Sequence, residues 1–261
     1  KSIMVSSGSK MIFNAFDMLF LNLFCTLTDV GVYTSAMNLM AVFTIVRTTF
    51  NALWMPTAVE HYEKKPDDKA FYQRGNAFIV VLMISFGAGV ILCKVLFGML
   101  QGNKYQESAQ IIPFLMFEPI MYTISETTAT GIVVQKKSKY QMLIAGVSCI
   151  TNFFGNWLLT PLMGARGAAL STGVSYIVFF AMRTVLAYKV FYVDYHLKNF
   201  MLVSLTLLLF AYYGSTHFFS LIQVLMCAGV LLVTLFCYRQ YLSDAVSYAG
   251  SMLIVIQYKR K

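Results

Sequence analysis

Charged residues are scarce in this sequence. Only 12% of the 261 residues are Asp, Glu, Lys or Arg, whereas 58% are hydrophobic. Soluble proteins carry about a quarter of their residues as charges, because their surface must be wetted by water. The composition therefore excludes an ordinary soluble domain and favours a protein whose natural solvent is the lipid bilayer.

The sequence also lacks the patterns of common catalytic and metal sites. It contains no GxSxG, P-loop or GxGxxG motif, and none of its three histidines lies within four residues of another. Its five cysteines all fall in apolar stretches and form no CxxC pair or Cys–His cluster. We therefore expect no enzymatic activity, no metal and no cofactor.

Long apolar blocks, separated by short polar breaks, make up most of the chain. Several exceed the roughly 18 residues that mark a membrane-spanning helix, and they are continuous rather than alternating, as barrel strands would be. The pattern predicts an all-α integral membrane protein, a polytopic bundle of about eight transmembrane helices. The predicted spans are residues 3–28, 32–57, 75–97, 109–134, 140–160, 168–188, 200–213 and 218–238, and a shorter block at 245–256 is expected at the membrane surface.

Basic residues are distributed unequally between the two sides of these spans. Sixteen of the 20 Lys and Arg residues flank one side, whereas only Lys94, Lys104 and Arg166 flank the other. Basic flanks stay in the cytoplasm, so we expect both termini and the loops 60–74, 135–139 and 191–198 to be cytoplasmic. This distribution, with contact to anionic lipid, accounts for the net charge of +9, and no nucleic-acid partner is expected.

Polar residues recur at helical spacing inside four of the predicted spans. A charged group costs several kcal/mol in hydrocarbon unless it faces water or a partner, so the stripes predict a central hydrophilic cavity, as in a transporter. For the neutral residues, hydrogen bonding across helix contacts is the alternative. The stripes comprise Ser6, Lys10, Asn14 and Asp17; Thr44, Arg47, Thr48 and Asn51; Glu118, Tyr122, Ser125, Glu126 and Thr130; and Gln141, Ser148, Asn152 and Asn156.

The basic residues within the spans have competing interpretations. Arg47 could form a structural ion pair with Asp17 or Glu118 instead of facing the cavity. The side chains near helix ends are expected to extend to the lipid headgroups. These are Lys10, Arg183 and Lys94.

The fourth span combines two carboxylates with a proline. Glu118 and Glu126 are eight residues apart, about 12 Å along a helix, which is too far for two carboxylates acting on one bond. Binding of a proton or ion suits them better. Pro119, between them, predicts a kink because proline removes a helical hydrogen bond.

Several short segments resemble one transporter family. Asp17, followed by TDVGVYTSA at 28–36, resembles the "D…vGiYs.A" junction of Wzx-type polysaccharide flippases, within the multidrug/oligosaccharidyl-lipid/polysaccharide exporter superfamily. The resemblance runs to about residue 187, in the family's order. Its further motifs are YQESAQIIP at 105–113, SETTATG with KKS between 125 and 138, and PLMGARGAA at 161–169.

The resemblance implies an architecture of two lobes around a cavity. Residues 1–190 would form the second six-helix lobe, residues 191–238 two additional transmembrane helices, and residues 239–261 a cytoplasmic or interfacial tail. Since residue 1 is Lys, we expect the first lobe to belong to a longer protein. The resemblance places the protein in the bacterial inner membrane.

The implied substrate is an undecaprenyl-diphosphate-linked oligosaccharide, moved across that membrane by ion-coupled alternating access for O-antigen, capsule or exopolysaccharide synthesis. Implied partners are this lipid-linked oligosaccharide, membrane lipids, the first lobe and polysaccharide polymerase machinery. Arg47 would bind the diphosphate, with Lys10 as a second candidate. The residues for sugar hydroxyls would be Asn14, Asn51, Tyr122, Asn152 and Asn156, and those for a coupling proton or Na⁺ would be Asp17, Glu118 and Glu126.

Two other functions remain open. One is a MATE-like small-molecule or multidrug exporter of the same superfamily. The other is a membrane glycan polymerase or acyltransferase, which would need a long periplasmic loop or a His/Asp site.

Overall fold

The computed structural model describes residues 2–100, 107–217 and 220–259; at 2–9, 95, 97–100 and 242–259 only the backbone is described. Within this part of the chain every regular element is an α-helix. The ten helices are α1 Ser2–Phe24, α2 Leu27–Lys64, α3 Lys69–Leu100, α4 Ser108–Leu115, α5 Phe117–Thr128, α6 Thr130–Val134, α7 Ser138–Met163, α8 Ala165–Val190, α9 Leu197–Thr216 and α10 Leu221–Lys259.

Six helices, α2, α3, α7, α8, α9 and α10, are long and apolar enough to cross a membrane. The predicted all-α polytopic membrane helix bundle is therefore confirmed. The predicted positions that lie outside the described residues are Lys1, Lys104, Arg260, Lys261, the first two residues of the motif at 105–113 and the predicted start of the last span at Phe218.

The second span begins earlier than predicted. Thr26 and Asp29 form a capping box, in which the Thr26 hydroxyl accepts from the Asp29 N–H and the Asp29 carboxylate accepts from the Thr26 N–H. This cap satisfies free N–H groups of the first turn, so the helix starts at Leu27. Gly31, which lies between the predicted spans 3–28 and 32–57, is consequently helical.

The fourth span is broken into α4, α5 and α6. Pro119 has no N–H to donate to the Leu115 carbonyl, and the helix is interrupted between them, at Met116. The helical hydrogen-bond pattern is therefore interrupted next to Pro119, and the kink itself stays a prediction. A second break lies at Ala129. All residues from Ser108 to Ile132 are buried, since α2, α3, α8 and α9 surround this segment.

Helices α7 and α8 form a hairpin. Gly164 joins them with a backbone φ of +59°, a conformation that glycine adopts at little cost. Gly155 of α7 lies directly against the Ser171 side chain of α8, so the two helices approach closely. The outer face of α7 exposes large apolar side chains such as Ile150 and Trp157, as a lipid-facing helix would.

The loops divide between two ends of the bundle. One end, here called the basic end, holds residues 65–68, 135–137 and 191–196, where Gln73 donates to the Asp194 carbonyl and Gln135 to the Val190 carbonyl. The opposite end holds the α1–α2, α7–α8 and α9–α10 connections. This division matches the grouping of loops that the basic residues predict; the cytoplasmic location of the basic end stays a prediction.

Aromatic residues pack at the basic end. Trp54, Tyr72, Val193 and Tyr195 form a buried cluster separate from the main core. The Tyr195 hydroxyl donates to the Thr127 carbonyl near the end of α5 at 3.3 Å. Burial raises the pKa of the Tyr195 phenol well above its usual range, so the hydroxyl keeps the proton it donates.

Helix α10 continues without a break from Leu221 to Lys259. It therefore joins the predicted last span to the predicted tail at 239–261, as far as the described residues reach. The placement of the tail at the membrane surface stays a prediction.

Candidate functional site

Asp17 is the centre of a buried hydrogen-bond network. Its carboxylate, in the middle of α1, is fully buried. Oδ1 accepts from Nδ2 of Asn156 at 2.7 Å and from Nδ2 of Asn152 at 3.2 Å. Oδ2 accepts from the hydroxyls of Tyr33 at 2.6 Å and Thr172 at 2.7 Å. Four donors from three other helices thus converge on one carboxylate.

The network is set up by helical spacing. Asn152 and Asn156 are one turn apart on α7 and therefore project from the same face. The hairpin brings α8 against this face, and Thr172 also receives a hydrogen bond from Asn152, at 3.3 Å. The site therefore rests on helix cores rather than on loops.

Every donor to Asp17 is electrically neutral. Among the ion pairs of the described residues, none includes Asp17. Neutral donors stabilise a carboxylate without cancelling its charge. The Asp17 carboxylate is surrounded by Tyr33, Thr172 and Asn152, whose side chains carry further oxygen atoms. Oxygen atoms of this kind bind protons and alkali cations, so the arrangement has the chemistry to bind a monovalent cation.

Glu118 pairs with Lys10. The Lys10 ammonium lies 2.6 Å from Oε1 of Glu118, which is 3% exposed. The expectation that Lys10 extends to the headgroups is therefore wrong, because a buried carboxylate lies within its reach. The second oxygen of Glu118, Oε2, is buried without a hydrogen-bond partner in the described part of the chain.

Glu126 pairs with Arg183. Both side chains are almost fully buried, and Nη1 of Arg183 donates to Oε1 of Glu126 at 3.0 Å and to Oγ of Ser125 at 2.9 Å. The expectation of a headgroup-facing Arg183 is wrong, since α8 directs this side chain inward against α5. Coupling through Glu126 stays a prediction, and its carboxylate is held by Arg183 in this conformation.

Arg47 lies over the ring of Tyr122. Its guanidinium carbon is 4.4 Å from the ring centroid, and the ring also stacks on Phe179. Neither ion pair considered for Arg47, with Asp17 or with Glu118, occurs among these described residues. A cation–π contact of this kind stabilises the guanidinium while its N–H groups can still bind an anion.

Lys94 does not extend to the headgroups. It is fully buried, and its ammonium donates to the carbonyls of Gly214 and, at 2.6 Å, His217. The C-terminal end of α9 has free carbonyls that attract a cation. Lys94 therefore fastens α3 to α9 at the opposite end.

The structure brings some predicted site residues together and separates others. Asp17, Asn152 and Asn156 share one network, whereas Glu118, Tyr122 and Glu126 follow one another along α5, each beside its own cation. Asn14 and Asn51 lie half-buried on α1 and α2. The buried Oδ1 of Asn51 has no hydrogen-bond partner among the described residues.

Tyr33 and Thr172 were not predicted as site residues. The stripe of Ser171, Thr172 and Ser175 on one face of α8 carries the same signal as the four stripes that were recognised, so Thr172 could have been found. Tyr33 stands alone in its segment and gives no such signal. Its role depends on how α2 packs against α1.

Within the described residues, no group of three or more His, Cys, Asp or Glu side chains could hold a metal ion. No protein-family model and no curated protein sequence matches this chain.

Proposed function

We propose that this chain forms one wall of the cavity of an ion-coupled flippase for lipid-diphosphate-linked oligosaccharides in the bacterial inner membrane. The observation that carries the proposal is the Asp17 network. The motif resemblance in the sequence supports the same family.

The coupling role follows from the environment of Asp17. An ionised carboxylate deep in a membrane protein is costly unless it is bonded or binds a cation. Four neutral donors lower this cost but leave one negative charge, which a proton or Na⁺ can neutralise. Binding and release would change the balance between inward- and outward-open states, because a ligand shifts a conformational equilibrium by its differential affinity.

The substrate role follows from the charge balance around α5. Lys10 pairs with Glu118 and Arg183 with Glu126, whereas Arg47 packs on the Tyr122 ring and forms no ion pair among the described residues. Arg47 therefore carries, on a half-buried side chain, a positive charge that none of these ion pairs neutralises. A diphosphate is the anion that such a guanidinium binds well.

A small-molecule exporter could use the same Asp17 network. Arg47, which forms no ion pair among the described residues, would repel the cationic substrates common among drugs and thus disfavours that function. A complementation experiment distinguishes the flippase from the exporter.

The test is complementation of a flippase-deficient strain with the full-length gene, with surface glycan as the readout. We expect Asp17→Asn and Arg47→Ala to abolish glycan at normal protein levels. The matched controls are Asp29→Asn, which alters a helix cap, and Arg239→Ala, an exposed residue beside Phe236.

Both controls should retain surface glycan. Failure of the unmodified gene to restore glycan, together with efflux of small molecules, would favour the exporter. Normal glycan with both Asp17→Asn and Arg47→Ala would refute the assigned roles.

A further inference from the structure

The inner face of α7 carries a file of polar side chains, interrupted once by the buried Ile144. All are nine-tenths or more buried, and each lies one or two helical turns from the next. In order from the basic end they are Gln141, Ser148, Asn152, Asn156 and Thr160. The file passes Asp17, which bonds to Asn152 and Asn156.

The two halves of this file differ in hydrogen bonding. Toward the opposite end the polar groups bond to one another: the Thr160 hydroxyl donates to Oδ1 of Asn156 at 3.0 Å, and the Cys25 thiol donates to the Thr160 carbonyl at 3.7 Å. On the other side of Asp17, toward the basic end, three atoms have no hydrogen-bond partner among the described residues. These atoms are Oδ1 of Asn152, Oγ of Ser148 and Nε2 of Gln141.

Buried polar atoms without partners are costly, because they have given up their hydrogen bonds to water. In native proteins such atoms commonly bind water or an ion. Three of them in sequence on one helix face, spanning about 16 Å of helix rise, would all be satisfied by a file of water molecules. Among the described residues, the half of α7 beyond Asp17 has no buried side-chain polar atom without a partner.

We propose that the α7 face from Gln141 through Ser148 to Asn152 is the route by which water and the coupling cation reach Asp17 from the basic end. The proposal rests on the coupling role proposed above for Asp17. Ser148 Oγ and Asn152 Oδ1 supply oxygen ligands along the route. Gln141 forms its mouth. The hydrogen bonds of Asn156 and Thr160 close the way to the opposite end in this conformation.

The test measures access of Ag⁺, a small thiol-reactive monovalent cation, to single cysteines in membrane vesicles. The full-length protein is first freed of its native cysteines, and Ser148→Cys is introduced. After the reaction with Ag⁺, the protein is denatured and labelled with a fluorescent maleimide. A cysteine that has bound Ag⁺ is not labelled, so the loss of fluorescence measures the reaction. Ile150→Cys is the matched control, because Ile150 lies at nearly the same depth on the exposed, lipid-facing side of α7.

We expect S148C to react about tenfold faster with Ag⁺ from the basic end than from the opposite end, because a thiol ionises and reacts in a wet environment. I150C should react slowly from both sides. Thr160→Cys should not react from the basic end. Gln141→Cys provides a second position on the route in case S148C fails to accumulate.

Equal rates for S148C and I150C, or faster reaction of S148C from the opposite end, would overturn the route. The readout does not require transport, so the two proposals can fail separately. If S148C reacts with Ag⁺ but the protein fails to complement, the proposed route is supported and the flippase function is refuted. If neither S148C nor Q141C reacts with Ag⁺ in a protein that complements, the flippase function is supported and the proposed route is refuted.

Discussion

Replacing Glu126 by Gln removes one charge from a buried ion pair while keeping nearly the same shape. Arg183 would then remain charged and buried, bonded to Ser125 and facing a neutral amide. Neutralising one partner of a buried ion pair costs about 3–5 kcal/mol in proteins. The guanidinium of Arg183 also lies 5.5 Å from the Phe179 ring centroid and 5.7 Å from that of Tyr122, which retain part of its stabilisation. We therefore expect a loss near the lower end, about 3 kcal/mol.

The measurement is a double-mutant cycle in detergent micelles. Thermal or denaturant unfolding would be followed for Glu126→Gln, Arg183→Gln and the double variant. Either single change should lower the free energy of unfolding by about 3 kcal/mol, and the double change should cost clearly less than the sum of the two, because no lone charge remains.

The chain supplies a matched control in Glu60. This residue pairs with Lys64 at 2.5 Å, but both side chains are largely exposed. Water and salt screen such a pair, so Glu60→Gln should leave the unfolding midpoint nearly unchanged. The reasoning is refuted if Glu126→Gln costs no more than Glu60→Gln, or if the two single losses simply add.

Two further changes test the helix contacts. Lys94→Met removes the ammonium that binds the Gly214 carbonyl. The free energy of unfolding should fall by about 1–3 kcal/mol, because carbonyls stay buried without a donor. An unchanged unfolding midpoint would contradict this role of Lys94. Gly155→Ala places a Cβ against Ser171 and should destabilise the α7–α8 hairpin. A Cβ at Gly146 has no neighbouring atom within 4 Å, so Gly146→Ala should raise the free energy of unfolding by roughly 0.5–1 kcal/mol. Similar effects of the two changes would be evidence against close α7–α8 packing.

Much of the fold could be predicted because hydrophobic length and helical periodicity are local properties. Six of the predicted spans coincide with helices able to cross a membrane, and the first break in the fourth span, at Met116, lies where Pro119 removes a helical hydrogen bond. The helix ends were less predictable. The Thr26 cap extends α2 beyond its apolar block, since a hydrogen bond rather than hydropathy sets the start.

The candidate site was predictable only in part. Spacing placed Asp17, Asn152 and Asn156 on inward-facing stripes, and the structure joins them. The ion pairs could not be assigned, because Arg47, Lys10 and Arg183 are all long enough to reach more than one carboxylate. Only the packing of α1 and α8 against α5 selects Lys10 for Glu118 and Arg183 for Glu126.

The sequence by itself therefore determined that the chain is an α-helical membrane bundle, and which helix faces are polar, because both depend on residues near each other along the chain. The tertiary structure alone decided which charges neutralise each other and that Asp17 receives only neutral donors. It also decided that the unsatisfied groups of α7 lie on one side of that carboxylate. These features depend on distances of a few ångströms between helices, which no local pattern encodes.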